Sequence, residues 1–412
     1  MADSQKLRAK KFWFWLSVII NLGFLGVFKY YNFFAESFAD AISQFGLHVN
    51  PRTLNVILPV GISFYTFHGL SYVIDIYKGK IKPEKSFIDY SVFVSFFPLL
   101  VAGPIERATH LLPQIQKKRT FDYSKAVDGI RQILWGLFKK IVIADQCAEY
   151  ANLIFDHSSD YSGSTHVLGA VFFAFQIYGD FSGYSDIALG TARLFGVELL
   201  RNFSFPYFSR NIAEFWRRWH ISLSTWFRDY LYIPLGGSKV NVWIKVRNTF
   251  IIFLVSGFWH GANWTFIIWG FLNALYIMPS ILFNTNRSNL DTVAQGRYLP
   301  TIKEFMSIGL TFSLTVFAWI FFRSDSLESS IDYISKMFSS SFFSIPSVRP
   351  TVLFLFLLLF ILIEWVGREQ QYALAVLGLK WPKLLRRTMY YGLVLIILYF
   401  SGSEQQFIYF QF

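Results

Sequence analysis

Residues 246–283 read VRNTFIIFLVSGFWHGANWTFIIWGFLNALYIMPSILF, a strongly apolar stretch in which Arg247 is the one charged side chain. A helix that spans a membrane needs about 20 consecutive, mostly apolar residues. The stretch is too long for one such helix. We therefore predict two membrane helices here, separated by a turn near Gly261 to Asn263.

Similar apolar segments follow one another along the chain. The clearest others are 12–28, 54–74, 305–322, 351–366 and 389–401, and weaker ones are 90–103, 127–145 and 166–195. The polar stretches between them are too short to form a soluble domain. The pattern predicts an all-α, polytopic transmembrane protein with roughly 8–11 membrane segments. Residues 1–412 are expected to form a single membrane-embedded domain.

The composition supports a membrane environment. The 412 residues are 54% hydrophobic and only 16% charged, whereas soluble domains carry about 25% charged residues. A soluble protein could not cover its surface with so few charges. Segment 12–28 follows a basic start, but no small-residue cleavage site comes after it, so it predicts a first membrane helix rather than a signal peptide.

The formal charge of +12 is spread over short basic clusters between the apolar segments. Examples are Arg8–Lys11, Lys117–Arg119, Lys245–Arg247 and Lys383–Arg387. Membrane proteins place such clusters in cytoplasmic loops, whereas nucleic-acid binders concentrate them on one soluble face. We therefore expect no nucleic-acid partner. The single cysteine, Cys147, is interpreted as a packed apolar residue, and no metal site is expected.

One histidine lies within the decisive stretch itself, in SGFWHGANWTFIIWG at 256–270. An ionisable side chain at membrane depth is by default a candidate for function. His260 follows Trp259 and has Asn263 three residues later, and Gly257 with Gly261 would let another helix approach closely. The alternative is a histidine that only hydrogen-bonds a neighbouring helix.

A second histidine lies in NIAEFWRRWHISLSTWFRDY at 211–230. The spacing places Trp216, His220 and Ser224 on one face of a predicted helix. Arg228 and Asp229 are too polar to face lipid. The alternative is an amphipathic helix on the membrane surface with its arginines on lipid phosphates. The mixing of tryptophans and a histidine through the polar positions argues against that alternative.

Two carboxylates occur in YGDFSGYSDIALG at 178–190. Asp180 and Asp186 are six residues apart and would lie on different faces of a helix. Acid–base work by the pair is therefore the less favoured interpretation. We expect the two carboxylates to pair with the arginines of 217–228, or Asp180 to begin a helix.

The chemistry that these residues fit best is acyl transfer to a hydroxyl. A hydroxyl becomes a strong nucleophile when a base takes its proton, and histidine has a suitable pKa. Asn263 or a tryptophan N–H could stabilise the oxyanion. Two other interpretations remain open. One is a transporter or flippase for a glycan or lipid-linked sugar, with chain breaks at Pro98 and Pro104, and the other is a catalytically silent membrane scaffold for a secreted acetyltransferase.

The three strings Gly179–Asp186, Trp216–Tyr230 and Trp259–Gly261 resemble motifs of the membrane-bound O-acyltransferase family, and most of all its bacterial branch. The similarity runs from about residue 20 to the C-terminus and includes FPLLVAGP at 97–104 and the closing FIYFQF. Relatives usually carry further apolar helices before the one at 12–28. That difference leaves the helix count and the sidedness of the N-terminus open.

The resemblance implies a ring of membrane helices around a central channel. It implies that His260 and His220 are catalytic, with His260 as general base and His220 orienting or assisting. Residues expected to bind substrate or line the channel are Trp259, Asn263, Trp216, Ser224, Arg228, Asp229, Asp180 and Asp186.

The resemblance also implies a substrate and a location. Acetyl-CoA would arrive from the cytoplasm as a substrate rather than a tightly bound cofactor. The acetyl group would reach an acyl-receiving protein or polysaccharide on the outer face, in polysaccharide O-acetylation. The expected location is the cytoplasmic (inner) cell membrane, where membrane lipid surrounds the chain.

Overall fold

The computed structural model describes residues 7–55, 59, 61–101, 103–402 and 405–408. These residues form helices, turns and loops, with no strand among them. They divide into two compact units, which are described separately. Unit 1 extends to Thr120 and includes Val197–Leu200, and unit 2 contains Phe121–Gly196 and Arg201–Phe412.

The described residues of unit 1 form five α-helices. They are α1 (Leu7–Leu25), α2 (Tyr31–Ser43), α3 (Ile62–Tyr77), α4 (Phe87–Ser95) and α5 (Ala108–Gln116). A π-helical segment, Gly26–Tyr30, joins α1 directly to α2. The predicted segment 90–103 is broken as expected, because α4 ends at Ser95 and a short 3₁₀ turn, Phe97–Leu99, contains Pro98. Part of the predicted segment 54–74 lies outside the described residues.

A buried carboxylate organises the polar interior of unit 1. Glu106 is fully buried, and its carboxylate binds His110 Nδ1 at 2.7 Å and the backbone N–H of Leu200 at 2.5 Å. The backbone N–H of Glu106 donates to His68 Nε2 at 3.1 Å. These bonds explain why Val197–Leu200 belongs with unit 1.

Unit 2 contains the remaining helices. They are α6 (Tyr123–Leu137), α7 (Asp145–Asp156), α8 (Gly163–Leu194), α9 (Ile212–Arg218), α10 (Ile221–Phe227), α11 (Val242–His260), α12 (Trp264–Leu282), α13 (Ile302–Arg323), α14 (Leu327–Met337), α15 (Thr351–Gly367) and α16 (Lys383–Phe400). A π-helical segment, Phe138–Ala144, connects α6 to α7. Cys147 is fully buried on α7, as a packed apolar residue should be.

Helices α6 and α8 pack closely because glycines meet at their interface. A Cβ atom at Gly136 would lie 2.6 Å from the carbonyl oxygen of Gly183, and one at Gly183 would lie 2.8 Å from that of Gly136. At one end of the interface, Gly129 and Gly190 approach each other just as closely, since a Cβ atom on either would collide with the carbonyl oxygen of the other. Small residues allow such close approach between membrane helices. The two helices are therefore antiparallel and fixed in register.

The decisive apolar stretch forms the predicted pair of helices. Helix α11 ends at His260 and α12 begins at Trp264, with the turn at Gly261 to Asn263. Asn263 caps α12 by accepting a hydrogen bond from the Thr265 N–H at 3.0 Å. Gly257 and Gly261 both face Phe266 of α12, where a Cβ atom would collide. The prediction that these glycines permit close helix approach is confirmed.

The helix predicted through 211–230 is wrong, because the chain breaks at His220. On either side of this break, the backbone forms hydrogen bonds with the loop at 202–204 instead of continuing the helix. Ser204 N–H donates to Arg218 O at 2.9 Å, and Ile221 N–H donates to Asn202 O at 2.8 Å. His220 adopts a left-handed conformation with φ of 42°. Trp216, His220 and Ser224 therefore do not share one helical face.

Among the described residues, four helical stretches are long and apolar enough to cross a membrane. They are Arg8–Ser43, Val242–His260, Trp264–Leu282 and Ile302–Arg323, and the apolar helices Phe87–Leu99 and Thr351–Gly367 are shorter. An all-α, multi-spanning protein is thus confirmed. The count of eight to eleven segments and the ring around a channel stay predictions.

Arginine side chains hold the loop between α12 and α13 by its backbone. Arg217 donates to the carbonyl oxygens of Asn286 and Asn289, each at 2.6 Å. Arg368 donates to Val293 O at 2.9 Å and to Ala294 O at 2.7 Å. Arg210 lies 2.9 Å from Asp291, and its hydrogen bond lowers the pKa of that carboxyl.

Candidate active site

His260 lies at the last residue of α11 and is buried. Its ring is enclosed by aromatic side chains, with the ring centroids of Trp269 and Phe322 each 5.2 Å away and that of Trp259 4.8 Å away. These rings leave His260 only 6% exposed. A neutral imidazole is the form that can accept a proton from a substrate hydroxyl.

His220 lies at the break between α9 and α10 and is 1% exposed. The Phe181 ring meets it edge-on at 4.7 Å, and Trp259 lies 6.3 Å away. Neither ring nitrogen has a hydrogen-bond partner among the described residues. Strained backbone of this kind concentrates at functional sites. The geometry therefore presents a buried, neutral and uncommitted imidazole.

Trp259 connects the two histidines, since its ring contacts both of theirs. It is 5% exposed. We call His220, Trp259 and His260 the histidine layer. The structure brings together the residues that the sequence indicated most strongly, although they lie 40 residues apart on separate elements.

Asp180 and Asp186 have partners other than those predicted. Asp186 lies 2.6 Å from Lys139 Nζ and accepts from Gln132 at 2.7 Å. Asp180 lies 2.9 Å from Lys140 Nζ and accepts the backbone N–H of Ile408 at 2.7 Å. Pairing with the arginines of 217–228 is wrong, as is a helix start at Asp180, since α8 runs through both residues.

The physical reason for this correction is the close glycine interface. Because α6 and α8 nearly touch, the adjoining π-helical segment brings Lys139 and Lys140 against α8. We call Lys139, Lys140, Asp180 and Asp186 the ion-pair layer. Nearby, the buried Glu364 accepts hydrogen bonds from Tyr178 Oη at 2.6 Å and from Trp135 Nε1 at 3.2 Å.

The weaker candidates have mainly structural contacts. Asn263 uses both ends of its amide, because it caps α12 and donates to Asp325 O at 2.7 Å. Trp216 packs on Trp269 at 5.7 Å and donates to Asn273. Ser224 donates to Trp219 O at 3.4 Å. None of these contacts by itself assigns a catalytic role.

Arg228 and Asp229 form an ion pair with each other. Their side chains meet at 2.7 Å in the π-helical segment Arg228–Tyr232. The Arg228 side chain is 57% exposed. Exposed pairs of this kind contribute little to stability.

A cavity adjoins the ion-pair layer, and we call it the polar chamber. Its walls include side chains with hydrogen-bonding groups on several elements of unit 2: Lys139, Tyr178, Ser182, Asp186, Arg201, Asn202, Glu364 and Gln371. Phe203, in the same wall, packs on Phe181 at 4.9 Å, and Phe181 packs on His220. Two aromatic rings thus separate the polar chamber from the histidine layer.

The chain matches the membrane-bound O-acyltransferase family over residues 82–322. This match covers more than half of the chain and includes both His220 and His260.

The chain belongs to the membrane-bound O-acyltransferase family.

Three proteins that are similar to this chain are named for three different activities. It is 40% identical to the probable alginate O-acetylase of Pseudomonas aeruginosa, over 82% of the chain and 62% of the relative. It is 37% identical to the peptidoglycan O-acetyltransferase of Helicobacter pylori, over 80% of the chain and 65% of the relative. It is 29% identical to the teichoic acid D-alanyltransferase of Bacillus subtilis, over 69% of the chain and 74% of the relative.

The chain thus spans somewhat less than two thirds of the length of the alginate relative. Membership in the acyltransferase family also places the chain in a membrane. The family assignment does not depend on the weaker candidate residues.

Several buried polar residues of this acyltransferase family member were not predicted from its sequence. Lys139 and Lys140 lie inside a weak apolar segment, and Glu364 lies inside a strong one. A charged residue at membrane depth is itself a signal of function or pairing, so these three could have been found. Arg201 and Asn202 lie in a loop, where the sequence gives no comparable signal.

Proposed function

We propose that this protein is a membrane-bound O-acyltransferase that moves acetyl groups from cytoplasmic acetyl-CoA to a hydroxyl of an extracytoplasmic acceptor. The process would be polysaccharide O-acetylation. The single observation that carries the proposal is the histidine layer, in which two buried imidazoles contact one tryptophan inside an aromatic enclosure.

The chemistry follows from an imidazole at that position, since a neutral imidazole can accept a proton. His260 accepts the proton of the acceptor hydroxyl while its oxygen attacks the thioester carbonyl. A carbon–oxygen bond forms, the carbon–sulfur bond breaks, and the proton passes from the imidazolium to the departing thiolate. His220, whose ring nitrogens have no partner among the described residues, orients the substrate or hydrogen-bonds the oxyanion.

The distribution of charge supports an assignment of sides within unit 2. At one end of unit 2, the C-terminal end of α8 lies beside the N-terminal part of α6 and the chain that follows α15. Arg193 of α8 joins them, because it binds Asp128 at 2.5 Å and Gln371 at 2.7 Å. Arg131 joins Tyr390 of α16 to the same end at 2.7 Å. This end carries many lysines and arginines and is called the basic end.

The opposite end is poorer in cations. Arg323 binds Asp156 at 3.1 Å, and Ser341 accepts the backbone N–H of Gly163 at 2.8 Å. The acidic residues in the sequence around these contacts are Asp156, Asp160, Asp325, Glu328 and Asp332. By the excess of lysine and arginine in cytoplasmic loops, the basic end would face the cytoplasm.

In this orientation, the polar chamber would lie toward the cytoplasm and His260 toward the outer face. The polar chamber includes Asp186 and Gln371, toward the basic end, whereas His260 ends α11 on the opposite side. A donor arriving from the basic end and an acceptor arriving near Asn263 would approach the histidine layer from opposite sides. The arrangement suits transfer of an acetyl group across the bilayer.

The names of the relatives support acetyl transfer to a saccharide. The alginate and peptidoglycan relatives are 40% and 37% identical and are named for O-acetylation, whereas the D-alanyltransferase is 29% identical. We propose an extracytoplasmic polysaccharide, or a protein that passes the acetyl group to one, as the acceptor. The membrane would be the inner cell membrane.

Reconstitution tests this function. Purified protein in proteoliposomes is supplied with radiolabelled acetyl-CoA on one side and a soluble saccharide acceptor on the other. We expect release of free CoA and labelling of the acceptor, both dependent on protein. A glycan or lipid-linked sugar transporter, or a silent scaffold, would leave acetyl-CoA intact, and that result would contradict the proposal.

A further inference from the structure

A groove lies between α13 and α15 of unit 2, and we call it the apolar groove. Its volume is about 480 Å³, within the range of about 300–1,000 Å³ that is usual for small-molecule sites. Phe305, Ile308 and Phe312 line it from α13, and Phe360 and Ile361 line it from α15. The apolar groove is therefore large enough to hold a ligand.

The polar side chains that line the apolar groove are already hydrogen-bonded within the protein. They are Tyr178, Tyr207, Glu364 and Trp365. Tyr178 Oη donates to Glu364 at 2.6 Å, and Tyr207 Oη donates to the carbonyl oxygen of Ala174 at 2.6 Å. Trp365 Nε1 donates to the carbonyl oxygen of Tyr298 at 2.7 Å. A sugar or a peptide in the groove would lose its hydrogen bonds to water without replacement, whereas a hydrocarbon chain has none to lose.

The apolar groove is continuous with the surface that faces the membrane. Helix α13 is long and apolar enough to span a bilayer, and α15 is a shorter apolar helix. Phe305 of α13 is 65% exposed and Leu362 of α15 is 53% exposed, and both side chains line the groove. Because the chain lies in a membrane, hydrocarbon surrounds such side chains. Membrane lipid is therefore the molecule with direct access to the groove.

A series of aromatic rings lies between the apolar groove and His260. The ring of Tyr207, which lines the groove, is 5.9 Å from that of Trp219, and Trp219 is 5.1 Å from Trp319. Trp319 stacks on Trp269 at 5.6 Å, and Trp269 meets His260 at 5.2 Å. A chain in the groove therefore packs on the outer side of the aromatic enclosure. Its role is to complete the packing there, and it is not the acyl group that reacts.

Gly309 of α13 contributes to the space in the apolar groove. It lines the groove, and a Cβ atom at this position would meet no atom of the described residues within 4 Å. Glycine within a helix is less favourable than alanine, and no close helix contact requires it here. A larger side chain at this position would occupy the groove itself.

We propose that the apolar groove binds an acyl chain of a membrane phospholipid between α13 and α15. The headgroup lies at the end of the groove near Trp365 and the exposed Tyr298, because tryptophan and tyrosine concentrate at the membrane–water boundary. The bound chain supports the aromatic enclosure from the lipid side. This inference goes beyond the proposed function, since the site binds lipid whichever group the protein transfers.

Retention of lipid by the full-length protein tests this site. Wild-type protein and Gly309→Leu are extracted into mild detergent from vesicles of phosphatidylethanolamine and phosphatidylglycerol, and the phospholipid that survives washing is measured by native mass spectrometry. We expect the wild-type protein to retain phospholipid. Gly309→Leu should retain at least about fivefold less, because the leucine side chain takes the space of the acyl chain.

Gly392→Leu is the matched control. Gly392 lies in α16, outside the lining of the apolar groove, and a Cβ atom there would also meet no atom of the described residues within 4 Å. Both variants replace a helical glycine with the same strong helix former. A difference in lipid retention between them therefore reports the groove, and Gly392→Leu should retain as much phospholipid as the wild-type protein.

A photoreactive phospholipid locates the bound chain. Phosphatidylcholine with a diazirine in its acyl chain is added to the vesicles, and the labelled peptides are identified after irradiation. Labelling of α15 at 360–362 should fall in Gly309→Leu, because these residues line the opposite wall of the groove. Labelling of α1, with its exposed Phe12 and Ile19, should stay unchanged in both variants.

Three results would overturn the lipid site. The first is equal retention of phospholipid by Gly309→Leu and the wild-type protein, and the second is labelling of α15 that does not change in this variant. The third is a groove that retains a second copy of the chain or another polypeptide in place of phospholipid. Neither measurement uses acetyl-CoA, so a failure of the lipid site leaves the test of acetyl transfer unaffected.

Discussion

The histidine layer and the ion-pair layer are both polar and buried in unit 2, but their side chains are satisfied differently. In the ion-pair layer, Lys139 has Asp186 and Ser182 within 2.9 Å, and Lys140 has Asp145 and Asp180 within 2.9 Å. In the histidine layer, both ring nitrogens of His220 lack a partner among the described residues. Buried groups that are fully paired hold structure, whereas an uncommitted imidazole is available for chemistry.

The backbone is regular in the ion-pair layer and strained in the histidine layer. The lysines of the ion-pair layer lie in a continuous helical segment, Phe138–Ala144. His220 interrupts a helix and has φ of 42°. A residue with a side chain pays for this conformation in strain, which persists where surrounding contacts enforce it. The comparison supports our proposal that the histidine layer carries the catalysis, whereas the paired side chains of the ion-pair layer hold the fold.

The largest expected effect concerns His260. His260→Ala should lower the rate of acetyl transfer about 10³-fold, within the range that removal of a general base produces, with little loss of folded protein. The measurement is kcat for acetyl transfer in proteoliposomes. His157→Ala is the matched control, because His157 is an exposed histidine whose Nδ1 lies 3.2 Å from Leu153 O. A His260→Ala rate equal to that of the control would contradict the assignment.

The next largest effect is the loss of stability that follows when the ion-pair layer is broken. Lys139→Met leaves Asp186 without its cation at 2.6 Å, and breaking a buried pair in this way costs about 3–5 kcal/mol. Arg228→Ala removes a partner from an exposed pair and should cost less than about 1 kcal/mol. Unfolding free energies measured in mixed micelles check both values. Similar costs for the two variants would show that the ion-pair layer is solvated.

The smallest effect concerns Asn263, which the sequence suggested as an oxyanion donor. Asn263→Ala removes a helix cap and should cost about 1 kcal/mol of stability. Its rate of acetyl transfer should fall less than about threefold, because its amide nitrogen is committed to Asp325 O. A loss of about 10²–10³ in kcat would instead place Asn263 in the oxyanion site.

Much of the fold could be predicted from periodicity and length alone. The apolar stretch 246–283 indicated two helices, and its polar interruption at Gly261 to Asn263 placed the turn correctly. The break at His220 could not be predicted in this way. It depends on backbone hydrogen bonds to Asn202 and Ser204, which are distant in sequence from the residues they engage.

The candidate site was predictable where single residues are exceptional. His260 was conspicuous as an ionisable residue in an apolar stretch. The partners of Asp180 and Asp186 were not predictable, since a carboxylate in a sequence indicates that a cation exists but not which one. The choice of Lys139 and Lys140 depends on helix contacts at Gly136 and Gly183.

The central claim is that His260 and His220 serve one reaction centre, and a double-mutant comparison tests it most directly. His220→Asn suits this purpose, because asparagine tolerates a positive φ while removing the imidazole. The rates of acetyl transfer are measured for His260→Ala, for His220→Asn and for the double variant. Residues that act as a unit show losses that do not multiply.

If each single variant loses about 10³-fold and about 10²-fold respectively, the double variant should still lose only about 10³-fold. That result would show two groups that act on one substrate at one reaction centre. A double variant slowed by about 10⁵-fold, the product of the single losses, would mean that the histidines act independently and would contradict the account.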